Sequence, residues 1–250
     1  MTRCHMSGAG NTFGVLDIRG QSPDLEALAV TWCAELGADG LLALDDSQIA
    51  DFRLHFYNAD GLRGEMCGNG ARCICKFAYD LGIAGPAMTV ETDGGIVKGW
   101  RLSENTYRVA LNAPSVLDPE RKPGCAYVEL GDPGVPHCVL RIPGLEFSHR
   151  EKLRPLAKQL RYDPAFPKGA NVNFYDLCDG GARLLTYERG VEDYTLACGT
   201  GSASLALVLS QMGKLPEGRL TACNPGGDLQ INLEGGIFLE GPANYIKDRI

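Results

Sequence analysis

The feature that most constrains this chain is a motif that occurs twice. Cys67-Gly68-Asn69-Gly70 runs into a helical pattern (Arg72, Ile74, Lys76, Phe77, Tyr79), and Cys198-Gly199-Thr200-Gly201 runs into the apolar stretch Ser204-Leu205-Ala206-Leu207-Val208-Leu209. Glycines at this spacing let the backbone turn tightly and approach a ligand closely. The N–H groups of a helix's first turn have no partners inside the helix, so they form a ready anion site. A thiol placed there is expected to ionise more readily, because the helix end stabilises the thiolate. Two such thiols, one in each half, predict a duplicated chain with a pseudo-symmetric pair of groups facing one site. That arrangement suits a reaction in which a proton leaves one face of a carbon and returns on the other. One base exchanges a proton on one face; two opposed groups invert the centre.

Length and charge narrow the alternatives. The 250 residues leave room for one large domain or two, each of about 120 residues. A hydrophobic content of 44% with 22% charged residues is that of a chain with a substantial core. The net charge of −7 gives no footprint for nucleic acid or an acidic membrane. No apolar run approaches the roughly 18 to 20 residues of a membrane span. The start, Met1-Thr2-Arg3-Cys4-His5-Met6, lacks the apolar centre of a secretory signal, so a cytoplasmic protein is expected. The ten cysteines do not read as a disulfide framework, which a chain this long does not need. Nor do Cys67, Cys73 and Cys75 show the C-x2-C pairs of zinc sites, and no metal is expected.

Along the chain, residues 12–19 read as a strand after the turn Gly8-Ala9-Gly10-Asn11. Ser22-Pro23 reads as a helix start, with Leu25, Leu28, Ala29, Trp32 and Leu36 at helical spacing and Gly37 ending it. Leu41–Leu44 and Leu54–Tyr57 are expected strands, and Asn58-Ala59-Asp60-Gly61 a turn. Beyond the first cysteine helix, Met88–Thr92, Gly95–Trp100 and Tyr107–Leu111 suggest a meander. Asn112-Ala113-Pro114-Ser115 marks the expected boundary between halves 1–114 and 115–250, the last strand being free to return to the first half. The order then recurs, with strands near Ala126–Leu130 and Cys138–Ile142. Next come a helix with Ser148 as cap and Pro155 inside or at its first turn, and strands at Asn171–Tyr175 and Leu184–Tyr187. The second cysteine helix follows, and Leu229–Leu233 with Ile237–Leu239 reads as a closing hairpin. Strands around one long helix, twice over, is an α+β duplication.

Several further motifs occur in order: Gly10-Asn11, Asn58-Ala59-Asp60-Gly61, Met66-Cys67-Gly68-Asn69-Gly70-Ala71-Arg72, Pro136-His137-Cys138 and Glu188-Arg189-Gly190. With Ala197-Cys198-Gly199-Thr200-Gly201, Asn224-Pro225-Gly226-Gly227 and Gly241-Pro242-Ala243, the chain resembles the diaminopimelate epimerases nearly end to end. The resemblance implies two pseudo-symmetric domains, each a β-barrel-like roll around a central α-helix, with the active site in the cleft between them. It implies inversion at one α-carbon, LL- to meso-diaminopimelate, in lysine and cell-wall synthesis, without a cofactor. The residues agree on the last point, since no Gly-x-Gly-x-x-Gly unit follows a strand and no lysine is singled out for a Schiff base.

The same resemblance assigns roles. Cys67 and Cys198 would alternate as thiolate base and thiol acid, with backbone N–H groups of Gly68, Asn69, Gly199 and Thr200 holding the reacting carboxylate. Glu188 and Arg189 would clamp substrate, Arg being suited to bidentate carboxylate binding, with Glu188 also beside the chemistry. Asn11, Asn58 and Asn171 match positions that hydrogen-bond substrate, and His137 ranks as a supporting acid/base group. The implied partner is a small-molecule amino acid, and a homodimer fits the family. Three departures stand out: Val135 where the family usually has Asn before Pro-His-Cys, Thr12 for a frequent Asp, and Gly40 where some members carry Gln. Val135 cannot hydrogen-bond the distal end of diaminopimelate with its side chain, which leaves room for a two-thiol racemase of another amino acid such as histidine, proline or hydroxyproline. Cys67-Gly68-Asn69, where proline racemases usually have Cys-Gly-His, argues against that branch. From another class, the chain could be a non-catalytic binding or a thiol-redox protein on this scaffold; a redox role predicts a readily formed disulfide, whereas a Cys67–Cys198 disulfide would inactivate an epimerase.

Overall fold

Leu41-Leu42-Ala43-Leu44 has no polar face because it is covered on both sides. The computed structural model describes residues 2–64, 66–215 and 217–247, and in it all four of these residues are fully buried. Leu41 and Ala43 pack with Leu16, Ala29 and Cys33 under one helix. Leu42 points the other way, toward the first cysteine helix, since successive strand residues alternate faces.

The chain divides into two compact units, Met1–Ala110 with Glu240–Ile250, and Leu111–Leu239. The first unit contains β1 (Arg3–Gly8), β2 (Asn11–Asp17), α1 (Leu25–Leu36), β3 (Gly40–Asp45), β4 (Phe52–Asn58) and β5 (Arg63–Gly64). It continues through α2 (Gly68–Asp80), β6 (Ala87–Thr92), β7 (Gly95–Arg101) and β8 (Thr106–Leu111). β1 and β2 form a hairpin whose turn uses Ala9 and Gly10 at positive φ. β3 then lies parallel to β2, β4 antiparallel to β3, β6 parallel to β4, and β7 antiparallel to β6. The two parallel joins are made through α1 and α2 respectively.

The second unit repeats that scheme. It contains β9 (Pro114–Lys122), β10 (Cys125–Gly131), β11 (Gly134–Arg141), α3 (Arg150–Arg161), β12 (Asn171–Cys178) and β13 (Gly181–Glu188). β14 (Asp193–Thr195), α4 (Gly199–Gln211), β15 (Arg219–Asn224) and β16 (Gly227–Asn232) follow, and β17 (Ile237–Pro242) begins in this unit. β10 and β11 form a hairpin, β12 is parallel to β11, β13 antiparallel to β12, β15 parallel to β13 and β16 antiparallel to β15. The chain ends in β18 (Asn244–Lys247), which returns to the first unit as an antiparallel partner of β1. The fold is α+β with two domains of the same strand-and-helix order.

In each unit one helix lies outside the strands and one inside. α1 and α3 bury one face, Ala29 with Cys33 and Leu153 with Ala157 and Leu160. α2 is buried continuously from Gly68 to Ala78, packed against β1, β2, β3, β4 and β7. α4 is buried through most of its length against β9, β10, β11, β12, β15 and β16. An enclosed helix can be apolar nearly all round, as the sequence of α4 is, whereas α2 buries Asn69, Arg72 and Lys76.

Some local expectations are corrected. α1 is capped by Asp24, whose carboxylate accepts the Ala27 N–H at 3.1 Å, not by Ser22. α3 starts one turn before Pro155 and follows a short 3-10 turn, Phe147–His149, capped by Glu146; Ser148 caps nothing. At the expected boundary Asn112–Ser115, Pro114 opens the strand β9, Pro being tolerated at a strand's first residue. Arg219–Asn224, which the sequence reading passed over, forms β15 and pairs antiparallel with β16.

The glycines of the cysteine motifs serve close packing, since none of them has positive φ. A Cβ on Gly199 would lie 2.5 Å from Leu239, and one on Gly201 would lie 2.3 Å from Asn173 Oδ1. Gly201→Ala is therefore expected to destabilise by about 1–3 kcal/mol, the usual range for overpacking. Urea unfolding should show a lower midpoint with unchanged slope; an unaltered midpoint would mean that α4 can slide away from β12 at no cost.

Candidate active site

In the first unit Cys67 is the N-cap residue of α2, and the helix's first backbone bond is donated by Ala71 to the Cys67 carbonyl at 2.7 Å. The N–H groups ahead of Ala71 have no acceptor within their own helix. Asn69 and Asn11 are joined side chain to side chain, Asn69 Nδ2 donating to Asn11 Oδ1. Behind them Arg72, fully buried, donates to Asn69 Oδ1 at 2.9 Å and to the carbonyls of Gly68 and Pro242 at 3.3 and 3.4 Å. Burial lowers its pKa to about 10, so the guanidinium keeps its charge near Cys67, Cys73 and Cys75. This chain of bonds ties Asn11, Asn69 and Arg72 together. Asn58 lies on the exposed end of β4, its Nδ2 donating to the Leu62 carbonyl at 3.3 Å within the turn.

In the second unit Cys198 caps α4, with Ser202 donating the first backbone bond to its carbonyl at 2.9 Å. Gly201 N–H donates to Cys198 Sγ at 3.4 Å, and Thr200 Oγ1 lies 3.5 Å from it. The expectation that the helix end lowers the thiol pKa is reversed for Cys198. Burial, with the Glu188 carboxylate second, pushes it well above its ordinary value, outweighing the Thr200 and Gly201 bonds that favour thiolate. Cys198 rests as a thiol. Glu188 itself accepts from Thr195 Oγ1 at 2.7 Å.

Asn171 ties three elements together. Its Oδ1 accepts the Arg189 N–H at 2.8 Å, and its Nδ2 donates to the Pro136 carbonyl at 3.0 Å. Arg189 is exposed and donates from its guanidinium to the Lys168 carbonyl at 3.0 Å. His137 is fully buried on β11, and burial, with the Arg189 charge second, lowers its pKa to about 3. Its Nε2 has no hydrogen-bond partner among the described residues, a buried donor or acceptor that costs about 1–3 kcal/mol when unpaired.

The sequence reading missed Arg72, Asn173 and Thr186. Asn173 donates from Nδ2 toward His137 Nδ1 at 3.1 Å, and Thr186 Oγ1 donates to Asn173 Oδ1 at 2.9 Å. Strand alternation held the signal for Asn173. It shares a face with Asn171 in a run whose other face, Val172 and Phe174, is core. Of the other cysteines, Cys33, Cys73 and Cys75 are buried, burial raising their thiols to about 11, 12 and 12 respectively. Cys178 and Cys223 are half-buried and at strand positions away from both motifs. No cluster of three or more metal-ligating side chains occurs among the described residues.

A family model described as diaminopimelate epimerase matches residues 3–114 and 131–246, a span that takes in both cysteine motifs. The chain belongs to the diaminopimelate epimerase family. It is 34% identical over 255 residues to a diaminopimelate epimerase of Chlorobaculum tepidum, covering 96% of this chain and 97% of that one. It is 33% identical over 233 residues to one from Archaeoglobus fulgidus, covering 86% and 81%. Among solved structures the fold resembles a phenazine biosynthesis protein of Bacillus anthracis, with a TM-score of 0.74 at 14% identity, covering 100% and 98%. It also resembles a hydroxyproline epimerase of Agrobacterium vitis, with a TM-score of 0.68 at 17% identity, covering 100% and 90%.

In this diaminopimelate epimerase family member the buried His137 makes stability depend on acid. Unfolding returns the ring from about 3 to its ordinary 6.5. Above 6.5 neither state holds the proton. Below it the unfolded chain takes up a proton that the folded chain refuses, so stability falls from about 6.5 down to about 3, by at most about 1.4 kcal/mol per pH unit. Urea unfolding across that window should show a steeper acid loss for the wild type than for His137→Gln. Coincident slopes would mean that His137 is not held neutral.

Proposed function

We propose that the chain interconverts LL- and meso-diaminopimelate by removing a proton from one α-carbon with one cysteine and returning it from the other. The repetition carries this reading: Cys67 and Cys198 each cap the enclosed helix of units with the same strand order. Inversion needs an acid and a base on opposite faces of the carbon, and a duplicated fold supplies one of each from equivalent positions.

An ordinary thiol, with a pKa of about 8.5, is a poor base for an amino acid α-hydrogen, which is a far weaker acid. The rate must come from stabilising the charge that grows on the substrate carboxylate as the proton leaves. The first-turn N–H groups of Gly68 and Asn69 and of Gly199 and Thr200 suit that task, because their dipoles are fixed before the reaction begins. Cys198, held as a thiol by burial and Glu188, is the proton donor in one direction, and Cys67 is then the base. When the direction reverses, Cys198 is the base and Glu188 the acceptor of its proton in this reading. Asn11, Asn69, Asn58, Asn171 and Arg189 complete the reading as binders of the amino and carboxylate groups. A cytoplasmic location and a homodimer belong to the same reading and rest on the family resemblance. Among the described residues no helix is long and apolar enough to cross a membrane.

One observation favours a second reading, a two-thiol epimerase of another amino acid. Val135, on β11 next to Pro136 and His137, is 37% exposed, and it puts an apolar side chain where the family resemblance calls for an amide. The lost hydrogen bond costs about 0.5–1.5 kcal/mol, enough to weaken diaminopimelate binding and too little to abolish it.

Reduced enzyme without pyridoxal phosphate, incubated with LL-diaminopimelate in D2O, should give meso product carrying deuterium at the inverted carbon. Cys67→Ala and Cys198→Ala should each lose roughly 100- to 10,000-fold in rate. Exchange into L-histidine or L-proline but not diaminopimelate would keep the chemistry and change the substrate. Full activity of either variant would remove the two-thiol mechanism.

A further inference from the structure

Inside the second unit a buried polar chain runs from β11 through β12 to β13. Asn173 Nδ2 faces three acceptors, His137 Nδ1 at 3.1 Å, the Cys138 carbonyl at 3.0 Å and the Asn171 carbonyl at 3.2 Å. Its Oδ1 accepts from Thr186 at 2.9 Å. Two carbonyls on one end and a hydroxyl donor on the other fix which end of the amide carries the hydrogens. An amide nitrogen accepts no hydrogen bond, so a proton on His137 Nδ1 would point at hydrogens. The Nδ1 lone pair therefore faces Asn173, and the ring proton of the neutral imidazole sits on Nε2.

We propose that Asn173 is a positioning residue that locks His137 as the Nε2–H tautomer, so that this ring serves the reaction as a hydrogen-bond donor and not as a base. Nε2 is the ring atom with no partner among the described residues. With its lone pair spent on the ring, it has only an N–H to offer, and the acceptor it suits is an anionic oxygen or sulfur that appears during turnover. The same amide abuts α4, since a Cβ on Gly201 would meet Asn173 Oδ1 at 2.3 Å and Thr186 Oγ1 at 3.2 Å. Gly201 in turn donates to Cys198 Sγ. One side chain thus sets the histidine tautomer and seats the first turn that holds the thiol. The facing charged group is Arg189, which opposes a second proton on the ring.

The fold does not require this chain. Matching the parallel registers of the two units sets Phe13 and Gly40 against His137 and Asn171, and Val15 and Leu42 against Val139 and Asn173. The next strand sets Phe56 against Thr186. In the first unit Leu42 meets the equivalent helix glycine, Gly70, at 3.0 Å from its built Cβ. An apolar trio therefore does the same packing where no histidine has to be oriented.

The activity part of this inference rests on the epimerase reading; the tautomer part does not. Long-range proton–nitrogen NMR on protein labelled with 15N-histidine, assigned with His137→Gln, should find His137 neutral and protonated on Nε2 around neutral pH, with no substrate present. A ring protonated on Nδ1, or charged, overturns the proposal whether or not diaminopimelate is turned over. Asn173→Asp should move the ring proton to Nδ1 facing the new carboxylate, or charge the ring, and lower kcat with little change in KM; an unmoved tautomer overturns the role of Asn173. Should that variant not fold, the His137 pair decides the donor role. Gln keeps a donor and cannot act as a base, so His137→Gln should retain activity to within about tenfold, whereas His137→Phe should lose roughly 100-fold or more. Equal and severe losses in both would make His137 a base and overturn the proposal.

Discussion

A helix enclosed by strands must satisfy the polar groups of its first turn from the protein itself. α2 and α4 are both in this position, and each begins at a cysteine whose carbonyl takes the first helical bond. Their leading N–H groups face the place where the chain enters the helix, aligned with the helix dipole. Side chains of any size at the helix start would push the strands away, so glycine is used at both Gly199 and Gly201. The cysteine cap and the tight packing of the first turn are consequences of one constraint.

That constraint acts on the thiol in two opposite ways. The helix end favours thiolate, as a hydrogen bond from Gly201 N–H to Cys198 Sγ shows directly. Enclosure removes the water that would otherwise solvate the charge, and the Glu188 carboxylate adds a negative neighbour. Desolvation is the largest of these effects, so the helix end reduces a penalty without overturning it. For a reversible inversion this is serviceable. A thiol too easily ionised would be a weak base, and one never ionised could not take a proton.

The overall architecture was legible in the sequence because its signals are repeated and periodic. Both cysteine helices, the β6–β8 meander and the Asn58–Gly61 turn follow from spacing and turn chemistry. What escaped had weak local signals. β9 begins with a proline, and β14 is three residues long. At the candidate site, Cys67, Cys198 and His137 stood out by motif. Arg72 and Asn173 did not, because a charge within a helix and an amide within a strand usually face solvent. Here the helix is enclosed and the strand is covered on both faces, so both side chains are buried, and only tertiary structure makes that visible.

Comparing the two units separates what the fold needs from what the chemistry needs. Shared features, such as the cysteine cap, the packing glycines and the alternation of hairpins with parallel crossovers, belong to the scaffold as well as to the reaction. Features present once carry the asymmetry. Arg72 places a buried cation near Cys67 in the first unit, while Glu188 places an anion against Cys198 in the second. The Glu188 charge adds to burial in holding Cys198 as a thiol. A perfectly symmetric pair would share one protonation preference and spend much of its time with both groups charged or both neutral. An Arg beside one cysteine and a Glu beside the other is the asymmetry that the proposed division into one base and one acid asks of a duplicated fold.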